Sequence, residues 1–84
     1  MILFQKIIQQ KLNNITVDEL MQYAKQYQIA INQQQAADIV QLMRGKNINI
    51  FKNEERTKLL KEIAKITSPA VAQEVNQLFQ KFTN

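Results

Sequence analysis

The side chains able to do acid–base or coordination chemistry in this 84-residue chain are seven carboxylates, eleven cations and two tyrosines, with no histidine and no cysteine. Without histidine the commonest general base and the commonest metal ligand are both missing, and without cysteine there is no thiolate cage, disulfide framework or thiol nucleophile. Asp18, Glu19, Glu54 and Glu55 fall where helices are expected to begin, and capping together with the helix dipole accounts for acids there. Asp38, Glu62 and Glu74 are single acids on separate expected helices, so spacing alone assembles no carboxylate pair. Gly45-Lys46 resembles the end of a phosphate loop, but the upstream glycine is absent and Asn47 replaces the Ser or Thr that would hold magnesium. The sequence therefore assigns no catalytic, cofactor-binding or metal-binding residue. It points away from an enzyme and indicates no cofactor and no small-molecule substrate.

The cations are more informative. The net charge is +4, yet residues 1–43 and 66–84 are each neutral, so the whole excess lies in 44–65. There Arg44, Lys46, Lys52, Arg56, Lys58, Lys61 and Lys65 face only Glu54, Glu55 and Glu62. On a helix, Lys58, Lys61 and Lys65 project within about 60° of one another, opposite Leu59, Leu60 and Ile63. Two meanings stand side by side. With Arg44, Lys46 and Lys52 the stripe forms a candidate nucleic-acid or anion patch, held by counterion release. Alternatively, Glu54 to Lys58 and Lys58 to Glu62 are i,i+4 pairs, and the face is simply solvated. No aromatic residue interleaves with the lysines, so a base-stacking platform is not indicated. Arg56 differs, because its projection lies among Leu59, Leu60 and Ile63. It should point inward as a structural clamp, onto a carboxylate or helix-end carbonyls, since an unpaired buried guanidinium is costly.

Positioning these residues requires elements whose limits come from caps, because one Gly and one Pro leave few other breaks. Periodicity predicts helix 1 over about Leu3 to Asn13, with Phe4, Ile7, Ile8 and Leu12 on one face, Ile15 continuing it, and Lys11 packing its stem there. Thr16-Val17-Asp18-Glu19 reads as a capping box, with Ile15 stapled against Leu20. Helix 2 then runs to about Tyr27 with Val17, Leu20, Met21, Ala24 and Tyr27 buried. A second box at Asn32 and Gln35 opens helix 3, where Ala36, Ile39, Val40 and Met43 pack, Leu42 widens the face, and Gly45 supplies a left-handed C-cap. Asn53 is expected to cap helix 4, which reaches about Ile66. Ser68-Pro69 starts helix 5, whose Val71, Val75, Leu78, Phe79 and Phe82 share a narrow arc. Two linkers, 28–32 and 47–52, are apolar. They are expected to run across the bundle and insert Ile29, Ile31, Ile48, Ile50 and Phe51 into the core, and pairing of the two as short strands stays open.

The fold class expected is all-α: one domain over residues 1–84, a compact orthogonal bundle of about five short helices with the two extended Ile-rich linkers packed into its core. Such a short chain buries only roughly 60–65% of its unfolded surface, so stability should be modest. No apolar run approaches the roughly 20 residues needed to cross a bilayer, and Met1 to Lys6 carries no cleavage-site pattern. A cytoplasmic protein with no membrane partner is the expectation. Asn and Gln total 21, but they interleave with apolar residues at helical spacing and so cover a polar face rather than forming a low-complexity tract.

Several strings carry a resemblance. Thr16-x-Asp18-Glu19-Leu20, Tyr23-Ala24-x-x-Tyr27-x-Ile29, Gln35-Ala36, the run Arg44 to Phe51, and Glu55-Arg56-x-Lys58-Leu59-Leu60-Lys61-Glu62-Ile63 resemble the YqfT-like family of Bacillus and its relatives. That family is catalogued as a domain of unknown function. The resemblance spans almost the whole chain and implies an uncharacterised bacterial cytosolic protein, with no functional residues to carry over. A local stretch, Thr16 to Arg44, is similar to the helix, extended loop, helix unit of the SAP, LEM and Rho N-terminal type. Several of those units bind nucleic acid through lysines before their second helix, where this chain has Asn32-Gln33-Gln34-Gln35; the similarity implies the scaffold without that surface. Taken together, the sequence favours a non-catalytic interaction module that meets another protein or itself. A nucleic-acid accessory module using 44–65 is the alternative.

Overall fold

A computed structural model gives the three-dimensional arrangement, describing the backbone of residues 2–83 and the side chains of 5–81. It contains α1 (Ile2–Asn13), α2 (Val17–Gln26), α3 (Gln33–Met43), α4 (Asn53–Ile66) and α5 (Pro69–Thr83), with no strand among the described residues. The two Ile-rich linkers therefore do not pair. Helices α4 and α5 make the most extensive contact, α2 and α3 form a second pair, and α3 against α4 joins the two.

Both expected capping boxes are present. The Glu19 amide donates to Thr16 Oγ1 at 3.1 Å while Glu19 Oε1 accepts from the Thr16 amide, and Asn32 and Gln35 repeat the exchange at 2.7 and 3.0 Å. Each box satisfies two backbone donors that the helix geometry leaves free. Ile15 and Leu20, which flank the first box, are both buried. Ser68 accepts from the Val71 amide at 3.1 Å and so starts α5 ahead of Pro69. Helix 4 departs from expectation: it begins one residue early, with Lys52 in the cap position and no side-chain cap bond. Asn53 is inside the first turn, and its side chain accepts from Arg56 instead.

The core gathers Ile8, Leu12 and Ile15 from the α1 end, Leu20 and Ala24 from α2, and Ala36, Ile39, Val40 and Met43 from α3. Leu59 and Ile63 of α4 join Val71, Ala72, Val75, Leu78 and Phe79 of α5. Ile29 and Ile50 from the linkers are buried, while Ile31, Ile48 and Phe51 are half-buried against them. Ile7 is 56% exposed, so it does not share the buried face of α1 as periodicity implied; at about 100° per residue, Ile8 and Ile7 cannot both centre on the core side. Val17, Met21 and Tyr27 are likewise only half-buried on α2. Phe4 and Phe82 lie outside the described side chains.

Among the described residues, three hold positive φ: Gln28 at 58°, Gly45 at 75° and Asn47 at 53°. Gln28 closes α2 in a Schellman motif, in which Ile29 N–H donates to Ala24 C=O at 2.7 Å and Gln28 N–H to Lys25 C=O at 3.4 Å. Ile29 and Ala24, both buried, supply the apolar contact such motifs carry. Gly45 adopts the left-handed conformation, but in a different role from the expected C-cap. Arg44 at φ −69° and ψ 126°, Gly45 at φ 75° and the bond from Lys46 N–H to Met43 C=O at 3.2 Å make a type II turn. Gly45 N–H is thereby freed to donate to Asn13 C=O at 3.0 Å. Asn13 Oδ1 accepts from Asn47 N–H at 2.8 Å, and Gln9 Nε2 donates to Asn47 C=O at 3.1 Å. The turn after α3 is thus clamped onto the last turn of α1, whose free carbonyl it satisfies.

A Cβ on Gly45 would meet no atom within 4 Å, so its requirement is conformational. Opposite signs are expected at two of these left-handed positions: Gly45→Ala should lower, and Gln28→Gly raise, unfolding free energy in urea by about 1 kcal/mol each.

The Lys11 ammonium pairs with Glu19 across the α1–α2 connection. That bond, followed by the Thr16 amide, holds the Glu19 carboxyl below the usual carboxylate range, and the same bond raises Lys11 above the usual lysine value. Stability from Glu19 is present above its unfolded pKa and is lost as pH falls through the depressed folded value. Stability from Lys11 is present below its unfolded pKa and is lost as pH rises through the raised one. The urea midpoint should be flat from about pH 6 to about pH 9 and fall toward about pH 3. Glu19→Gln, which keeps the capping geometry, should show a smaller acid-side fall.

Candidate functional site

The basic segment is the place to build from. Arg44, Lys46, Lys52, Lys58, Lys61 and Lys65 are all exposed, but the fold does not gather them into one patch. Lys46 and Lys58 both line a groove of about 330 Å³ between the 44–50 connection and α4. Lys58 and Lys61 rim the next depression along α4, with Asn53, Glu54 and Thr57. Arg44, Lys52 and Lys65 lie outside that groove.

Local ion pairing also differs from the i,i+4 spacing expected. Lys52 pairs with Glu55 at 4.0 Å and Lys65 with Glu62 at 3.4 Å, both i,i+3. Neither Glu54–Lys58 nor Lys58–Glu62 is an ion pair. Glu55 is held from a second side, because its Oε1 accepts from Asn49 N–H at 3.1 Å. That bond, and Asn49 Oδ1 accepting from Phe51 N–H at 2.9 Å, fixes the linker on the first turn of α4. Lys46, Lys58 and Lys61 remain without an ion pair among the described residues.

Between these charges the groove floor is apolar. Leu59 is buried, whereas Leu42 of α3 and Ile48 of the linker are half-buried and open to solvent. Lysine spacing alone missed this floor. The signal was available: Leu42 widens the face of α3 beyond what the core needs, and Ile48 leads an apolar linker.

Arg56 is half-buried and reaches back over the linker. Its Nη2 donates to Asn53 Oδ1 at 2.5 Å and its Nη1 to the Ile50 carbonyl at 3.5 Å. The acceptors are thus an amide and a loop carbonyl, and no carboxylate is engaged.

The residues weighed for catalysis are dispersed. Asp38 accepts from Gln34 at 3.1 Å. Tyr23 borders an internal void of about 20 Å³, too small for more than a water-sized probe and lined by apolar side chains such as Leu12, Ile39 and Phe79. Glu62 borders the open groove instead. Tyr27 carries the Lys81 ammonium 5.2 Å from its ring centre, and Glu74 has one buried carboxylate oxygen without a hydrogen-bond partner. Among the described residues, no group of three acidic side chains is placed to hold a metal ion, and no helix is long and apolar enough to cross a membrane.

Comparison with known proteins places this arrangement. A family model described as "Protein of unknown function (DUF2624)" matches residues 1–83. The chain belongs to this family. It is 51% identical over 84 residues, the full length of both chains, to "Uncharacterized protein YqfT" of Bacillus subtilis (strain 168). No solved structure matches it significantly. The run Arg44 to Phe51, part of the family resemblance, is the segment that builds the type II turn, the clamp on α1 and one wall of the groove.

If Arg56 acts as a clamp on the linker, Arg56→Ala should cost about 1–2 kcal/mol in urea unfolding. Arg56→Lys should recover only part of it, since a single ammonium cannot reproduce the two-pronged geometry.

Proposed function

We propose that the protein is a non-catalytic interaction module whose groove between the 44–50 connection and α4 receives a side chain of another protein. One observation carries the reading: Leu42 and Ile48 stay half-open over buried Leu59 in a concave site rimmed by polar groups. Apolar concavity with a polar rim is the usual anatomy of a protein contact. In this reading the protein needs no cofactor, metal or small-molecule substrate, does not engage a membrane and works in the cytoplasm. A second copy of the chain is the other protein partner to consider, and a stable dimer would bury more than about 1,000 Å² in all.

A nucleic-acid accessory role is the second reading. What favours it is that Lys46, Lys58 and Lys61 have no ion pair among the described residues. The apolar floor counts against it, because a phosphate backbone is held by cations and hydrogen-bond donors and gains nothing from an apolar surface.

Affinity capture of the tagged full chain from its own cells, with and without nuclease, separates the two. The groove reading expects a partner that survives nuclease and is lost with Ile48→Lys, a variant whose folding is checked by its thermal melt. It fails if capture is unaffected by Ile48→Lys. A nucleic-acid role instead expects capture to vanish with nuclease, and binding to fall steeply with salt and with Lys58, Lys61 and Lys65 changed to Glu.

A further inference from the structure

The groove is lined by two lysines and two glutamates, but with Lys52 and Lys65, which pair with those glutamates from outside it, its surroundings carry an excess of positive charge. Glu55 and Glu62 are its two carboxylates, and each already has a cation of its own: Lys52 at 4.0 Å and Lys65 at 3.4 Å. Glu55 also accepts from the Asn49 amide, which spends much of its capacity as an acceptor inside the protein. Lys46 and Lys58, which line the groove together with Leu42, Ile48 and Leu59, have no ion pair among the described residues. Glu54, the nearest remaining acid in sequence to Lys58, lines the adjoining depression and pairs with neither Lys58 nor Lys61. The site therefore presents two uncommitted ammonium groups over Leu42, Ile48 and Leu59.

We infer that the groove's occupant is a short acidic segment of a partner protein, with an apolar residue seated on Leu42 and Ile48 and carboxylates on either side reaching Lys46 and Lys58. This rests on the groove reading above and adds the chemistry of the partner. Opposite charges flanking an apolar anchor steer encounter and fix register, while the anchor supplies the burial. A basic segment would meet two like charges in the groove. A neutral apolar segment would leave both ammonium groups to be partly desolvated without a counter-charge, which is unfavourable.

The experiment is selection of a displayed random dodecapeptide library on the immobilised full chain, followed by NMR methyl-shift mapping with the enriched peptides as synthetic probes. Enriched sequences are expected to place Asp or Glu on both sides of Leu, Ile or Phe, and to shift the methyls of Leu42, Ile48 and Leu59. Lys46→Glu with Lys58→Glu should weaken those peptides at least about tenfold, since each reversal replaces an attraction by a repulsion. Both lysines are exposed, and the mapping itself needs no substitution.

Peptides that map to the groove but are basic or uncharged would overturn the acidic partner and leave the groove reading standing. Peptides that map elsewhere, or no enrichment at all, would overturn both. A charge-reversed protein that binds acidic peptides undiminished would also overturn the inference. Enriched peptides displaced by a single-stranded oligonucleotide that shifts the α4 lysines, but not the three methyls, would favour nucleic acid over protein.

Discussion

Burial of the connections is the constraint on which the rest of this molecule depends. Among the described residues, the four largest side chains sealed from solvent are Ile15 and Ile50 in connections and Ile39 and Ile63 in helices. A chain this short has too few inward helical positions to close a core, so the connections must contribute. Pulling a connection against the core removes water from its amides and carbonyls, and each must then find a protein partner. Amide side chains meet much of this need. Asn13 and Gln9 hold the backbone of Asn47, Asn32 and Gln35 close the start of α3, and Asn49 bonds the Phe51 amide. The abundance of Asn and Gln is thus partly a matter of backbone satisfaction, beyond covering a polar face.

That constraint also separates what was legible in the sequence from what was not. Elements whose signals are local were readable: both capping boxes, Ser68-Pro69, and the periodic faces of α3 and α5 depend on neighbours within one or two turns. Gln28 was not readable as a left-handed residue, because the Schellman bond from Ile29 to Ala24 outweighs a side-chain preference that would ordinarily select Gly. Gly45 was legible as left-handed but not in its role. Its turn is set by a partner on α1, Asn13, more than thirty residues away. Asn53 failed as a cap for a similar reason: Arg56 takes its oxygen, and helix ends shift by a residue when a competing bond is available. At the candidate site the six cations and Arg56 could be named from sequence, yet which of them line one groove is decided by the clamp, and that is a tertiary fact.

The groove is a consequence of the same clamp. Met43 ends α3 inside the core, and Leu42, one step of about 100° around the helix, falls at the edge of the buried face. The type II turn at Arg44-Gly45 then reverses the chain, and the Asn13 and Gln9 bonds pin Asn47, so Ile48 is delivered beside Leu42. The Asn49–Glu55 bond fixes the far side against α4. The linker wall of the concavity is therefore held by hydrogen bonds to α1 and α4, and the fold itself forms that wall. Preformed sites bind with less loss of conformational entropy than those that must be ordered on contact.

The distribution of charge follows from where the carboxylates are needed. Glu55 is used to hold the linker, Glu62 sits within reach of Lys65, and Glu54, four residues before Lys58, lines the adjoining depression without pairing with it, so no carboxylate of α4 pairs with Lys46 or Lys58. Neutralising them locally would have required further acids on α3 or the connection, where the sequence instead places Gln41 and Asn47. If the lysines served only solubility, any exposed position would suit them. Their position on the rim of the one groove floored by Leu42, Ile48 and Leu59 joins a charge preference to an apolar anchor. A phosphate backbone could use the first but has no use for the second, whereas a segment of an acidic protein uses both.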